Sequence, residues 1–99
     1  MEKWFMNILK KVMQYNGFKE NMITVNECDK ENCWTPCDLI LREYLNNNGG
    51  SAKEFLGITK AQCTKAYNYI LANKKTLLHL NYLNRTGFNN LGFRLWNYI

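Results

Sequence analysis

Two helix-start signals eight residues apart constrain this chain more than any other feature; both lie in the stretch Ser51–Asn73, SAKEFLGITKAQCTKAYNYILAN. Ser51 with Glu54 has the spacing of a capping box, and so has Thr59 with Gln62. In that pairing each side chain satisfies a backbone N–H that the first helical turn leaves without a partner. Between the two signals stands Leu56-Gly57-Ile58, a glycine flanked by apolar residues. The stretch therefore reads as a short helix, a tight turn and a longer helix. In the longer one, Cys63, Ala66, Tyr67 and Ile70 recur at helical spacing and face a core. Ala61, Gln62, Lys65, Asn68, Tyr69 and Ala72 then fall on the outer side.

A chain of 99 residues supports one domain with a single modest core. Its aromatic and apolar content is high enough for folding. No apolar run has the length of a membrane span. Lys10 and Lys11 interrupt the apolar residues near the N-terminus, and no small-residue cleavage site follows. The expectation is a soluble protein of the cytoplasm, in a bacterial or phage-infected cell. The fifteen asparagines, beside many Lys, Ile and Tyr residues, resemble the composition of small phage proteins from AT-rich genomes.

Residues 1–17 form the clearest helix. Trp4, Phe5, Ile8, Leu9, Val12 and Met13 collect on one face, opposite Lys3, Asn7, Lys10, Lys11 and Gln14. Gly17 is placed to end it in a left-handed conformation. Phe18 to Val25 is ambiguous, with a short strand around Met22–Val25 as one reading. Residues 26–35 read as an acidic, Cys-containing loop, with Glu27, Asp29 and Glu31 among Cys28, Cys33 and Trp34. Thr35 then serves as N-cap, Pro36 occupies the first helical position and Asp38 complements the helix dipole. Asn46-Asn47-Asn48-Gly49-Gly50 stops this helix.

From Lys74 the period changes towards two. Leu78, Leu80 and Tyr82 alternate with His79, Asn81 and Leu83, and Phe93 and Leu95 alternate with Arg94, Trp96 and Tyr98 across the turn-rich segment Asn84–Asn90. This pattern predicts a β-hairpin over 74–99, although Leu77 to Leu83 also admits a helix. The expected fold class is thus α+β: three to four helices, with a helical region over 36–73, followed by a C-terminal hairpin.

Short helix, turn and longer helix make a helix-turn-helix, whose second helix can lie in a DNA major groove. Asp38-Leu-Ile-Leu-Arg-Glu-Tyr-Leu45 followed by Ser51-Ala-Lys-Glu-Phe55 is similar to the opening of the Xre-type antitoxin and repressor family. That family has a small residue where Leu56 stands and glycine where Lys60 stands. With the C-terminal hairpin as a wing, the segment from about Pro36 to Ile99 resembles a winged helix. Both resemblances imply DNA binding.

Charge agrees with a polyanionic partner. Net charge is +5, and beyond Phe55 there are six basic residues and no acid. Helix 59–73 is expected to present Gln62, Lys65, Asn68 and Tyr69 to base edges. Lys53, Lys60, Lys74, Lys75, Arg85 and Arg94 are expected to meet phosphates. The function class that follows is a DNA-binding regulator or accessory factor, with a homodimer through helix 1–17 as an option. An alternative from another class is a phage-type inhibitor, resembling anti-CRISPR proteins, that binds a nucleic-acid-handling host protein or ribonucleoprotein complex. It would use the acidic loop and the aromatic residues Phe88, Phe93, Trp96 and Tyr98.

Cys28, Cys33, Cys37 and Cys63 lack the paired spacing of a zinc site, and reduced thiols without bound metal are expected. One histidine, His79, in an apolar stretch and three carboxylates in a loop assemble no nucleophile with an oriented base. An enzyme is not expected, nor a cofactor.

Overall fold

The structure is a computed structural model that describes residues 1–17, 23–24 and 34–83. These form five helices: α1 (Lys3–Tyr15), α2 (Pro36–Asn47), α3 (Ala52–Leu56), α4 (Lys60–Ala72) and α5 (Lys74–His79). Helix α2 packs most extensively on α4, and α1 lies across α2, α3 and α4.

The amphipathic stripe of α1 is its buried face: Phe5, Leu9 and Val12 are wholly enclosed, with Ile8 and Met13 beside them. Trp4 is only half-buried, at the edge of the stripe. The helix closes as Gly17 takes φ +70° and donates its N–H to the Gln14 carbonyl at 3.1 Å.

Helix α2 opens on a complete capping box. The Thr35 N–H donates to Asp38 Oδ2 at 2.9 Å, and the Asp38 N–H donates to Thr35 Oγ1 at 3.2 Å. The same hydroxyl donates to the Tyr82 carbonyl at 2.7 Å, so the cap also ties the start of α2 to the chain beyond α5. At the other end Asn48 and Gly49 take left-handed conformations, with φ of 53° and 81°. That turn lays Gly49 against Cys63 and Lys60 of α4.

Helix α4 carries the capping box read from its sequence. The Thr59 N–H donates to Gln62 Oε1 at 2.9 Å, and the Gln62 N–H donates to Thr59 Oγ1 at 3.0 Å. Helix α3 does not. Ser51 sits at φ −107°, ψ 15° and makes no side-chain cap bond. A capping side chain needs an extended backbone at that residue to reach the following N–H groups. Instead, the Ser51 N–H donates to Glu43 Oε2 of α2 at 3.0 Å, so the start of α3 is held by a neighbouring helix.

The C-terminal hairpin is corrected by the structure. Lys74–His79 is a helix, and no strand occurs among the described residues. Asn73 ends α4 and begins α5: its N–H reaches the Tyr69 and Ile70 carbonyls at 3.1 and 3.2 Å, and its carbonyl accepts the Leu77 N–H at 2.9 Å. A single residue separates the two helices, and helical spacing turns Leu77 fully into the core. A strand would have aligned Leu78, Leu80 and Tyr82 instead, yet Leu80 is 45% exposed. Neither an α+β class nor a winged helix describes these residues, which form a small helical domain. The second half of the expected hairpin, 84–99, and nearly all of the acidic loop lie outside the described residues. Of the strand expected around Met22–Val25, only Ile23 and Thr24 are described, and they form a turn.

Candidate nucleic-acid interface

Three residues, Gly57, Ile58 and Thr59, separate α3 from α4. Gly57 takes φ +72°, which residues with a Cβ rarely adopt, and so lets the chain turn sharply. Ile58 follows into the core, and with Ala52 and Leu56 it joins Cys63, Ala66 and Ile70 of α4 in one buried cluster with the face of α2. Helix α4 is therefore held on one side by its neighbours.

Its opposite side is open. Ala61, Lys65, Asn68 and Ala72 are exposed and share one helical face. The other two residues expected to reach bases are engaged. Gln62 is half-buried, with its amide oxygen in the capping box. Tyr69 is half-buried beside α1: its ring centroid lies 4.4 Å from that of Phe5 and 5.3 Å from that of Trp4. Its hydroxyl accepts the Glu2 N–H at 3.4 Å. No family model matches the chain, and neither a curated protein nor a solved structure does. The reading of the site therefore rests on its own geometry.

Within that geometry Trp4 has a place that helical periodicity alone could not assign. The Lys65 ammonium stands 4.1 Å from the centroid of the Trp4 ring, a cation–π contact. The first turn of α1 thus packs against one edge of the outer face of α4. Asn68, on the far side of Lys65, has no such neighbour described.

Lys53 on α3, Lys60 at the start of α4 and Lys75 on α5 are exposed, and Lys74 is half-buried. Arg85 and Arg94 lie outside the described residues. The described residues include four acids, Glu2, Asp38, Glu43 and Glu54. Asp38 is fully buried and Glu43 is 6% exposed, both accepting backbone N–H groups. Two of these four are thus withdrawn from the surface that the described residues form.

Cys37 and Cys63 are buried free thiols. Burial, and then the neighbouring Asp38, push the Cys37 thiol well above its ordinary range. Burial and then Glu43 push Cys63 up to about 11. A buried thiol held neutral serves as a small apolar side chain and is a poor nucleophile. Cys28 and Cys33 lie outside the described residues. Among the described residues no three His, Cys, Asp or Glu side chains come together as a metal site would require. No helix of the described residues is long and apolar enough to cross a membrane.

Proposed function

We propose that the chain is a small DNA-binding protein that uses α3, the Gly57 turn and α4 as a helix-turn-helix. The observation that carries this reading is the exposed face of α4. It is acid-free, joined to α3 by a three-residue turn and backed by buried contacts to the rest of the domain. Ala61 and Ala72 allow close approach to a groove wall, while Lys65 and Asn68 supply a cation and an amide suited to base edges. Lys53, Lys60, Lys74 and Lys75 then meet phosphates, with Arg85 and Arg94 as further candidates. The inhibitor reading places its contacts on residues 26–35 and 88–98, almost wholly outside the described residues, and no observation favours it.

The test is binding to random-sequence duplex DNA at about 50 and about 200 mM salt, beside a Lys65→Ala/Asn68→Ala variant. Phosphate contacts release condensed counterions, so affinity should fall steeply with salt. The variant should bind at least about tenfold more weakly while keeping the wild-type circular dichroism spectrum. Absence of binding at the lower salt, or an unaffected variant, overturns the reading.

A further inference from the structure

A groove of about 270 Å³ lies between the end of α1, one face of α2 and helix α3, and no residue of α4 lines it. Glu43 lines this groove while being 6% exposed. Its Oε2 accepts the Ser51 N–H, and no described donor reaches Oε1. A carboxylate held by one protein donor at the wall of a groove has acceptor capacity left for a ligand that brings N–H groups to it. Phe55 lines the same groove and is 55% exposed, which leaves an aromatic ring open to a flat partner.

The remaining polar lining narrows the chemistry. Asn16, Asn46 and Asn47 offer amides, and Arg42 adds a cation. The Asn16 amide already donates to the Val12 carbonyl at 2.8 Å, leaving its own oxygen as an acceptor. A simple cation such as a lysine or arginine side chain would suit Glu43. It would, however, meet Arg42 and a basic surface. A ligand with an N–H edge for the carboxylate, a flat π-face for Phe55 and negative charge elsewhere suits all of them. The volume lies just below the range of pockets for drug-sized ligands, which suits one fused ring system.

We propose that this groove binds the base of a guanine nucleotide. Glu43 Oε1 accepts the N1–H, Oε2 uses its second lone pair beside the Ser51 N–H for the exocyclic amino group, Phe55 stacks on the ring, and Arg42 turns from the Trp34 ring to meet the phosphate. Adenine offers an acceptor where guanine has N1–H, so it leaves the carboxylate unpaired and repelled. The groove shares no residue with the exposed face of α4, although Phe55 and Leu56 belong to α3 of the same helix-turn-helix.

The test is a titration of the ¹⁵N-labelled chain with guanosine, inosine and adenosine monophosphates, followed by amide chemical shifts. The expected result is saturable shifts over residues 42–56 with the guanine nucleotide, at least about tenfold weaker binding of the inosine nucleotide and weaker still of the adenine one. Glu43→Gln keeps an acceptor for the Ser51 N–H, so it should retain a folded spectrum and lose the guanine preference. Phe55→Ala, at an exposed position, should weaken all three nucleotides alike. Equal binding of adenine and guanine nucleotides, shifts confined to other surfaces, or no shifts at millimolar nucleotide overturn the proposal. So do groove shifts that arise with arginine amide and not with the guanine nucleotide, which would mark a site for cationic peptide side chains.

Discussion

The ring of Tyr15 lies directly on Gly57: a Cβ built at residue 57 would stand 2.5 Å from Tyr15 Cδ2 and 2.6 Å from Cγ. The Tyr15 hydroxyl donates to the Glu54 carbonyl at 2.6 Å, so the ring is pinned over the turn between α3 and α4. Helix α1 thereby sets the approach of α3 to α4.

Gly57→Ala meets two obstacles, the left-handed backbone and the Tyr15 ring. It should lower stability by about 2–4 kcal/mol in urea unfolding. Tyr15→Ala combined with it should recover the steric part and leave the backbone part of about 1–2 kcal/mol. An unaffected Gly57→Ala variant would show that the turn differs from the one described.

The two N-caps should differ in their response to alanine. Thr59→Ala removes a working capping box and should cost about 1 kcal/mol. Ser51→Ala removes a hydroxyl that makes no cap bond, and it should change stability by less than about 0.5 kcal/mol. Comparable losses at the two positions in thermal melts would restore the capping box at Ser51.

Core truncations distinguish helix from strand after Asn73. Leu77 is fully buried, so Leu77→Ala should cost about 2–5 kcal/mol, whereas Leu80→Ala at a 45%-exposed position should cost far less. The strand register makes the reverse prediction, since it places Leu80 inward and Leu77 on the other face. Chemical denaturation of the two variants decides between them.

Stability should fall on the alkaline side. Burial, with Glu43 second, raises the Cys63 thiol from 9.0 to about 11, so the folded chain keeps this proton longer than the unfolded one. That contribution is complete below about pH 9 and is lost as pH rises towards about 11. Cys37 and Tyr67 shift in the same direction, through burial with Asp38 and Tyr44 respectively, and add the same sign. Denaturation midpoints should therefore decline over this interval, and the decline should be shallower in Cys63→Ala. A flat profile would place these thiols in contact with solvent.

Much of the helical framework was legible because its signals are local. Apolar spacing marked the buried face of α1 and the Cys63, Ala66, Tyr67, Ile70 face of α4. Thr35 with Pro36 and Thr59 with Gln62 marked two helix starts. The exposed side of α4 followed in part: Ala61, Lys65, Asn68 and Ala72 are open, whereas Gln62 and Tyr69 are engaged with the cap and with α1. The state of residues 74–83 did not follow, since six or seven apolar and polar residues satisfy both periods about equally well. Burial of Leu77 and the link from Thr35 to Tyr82 decided it, and both join segments distant in sequence.

The sequence by itself therefore determined where helices α2 and α4 begin, which residues of α1 and α4 turn inward, and that the chain beyond Phe55 carries basic charge alone. Only the tertiary structure decided that Glu43 rather than Ser51 secures the start of α3, and that Trp4 touches both Lys65 and Tyr69. It also decided that Glu43 and Phe55 share one groove. Caps and periodicity act within a few residues, whereas these relationships depend on packing distances between helices, which no local pattern encodes.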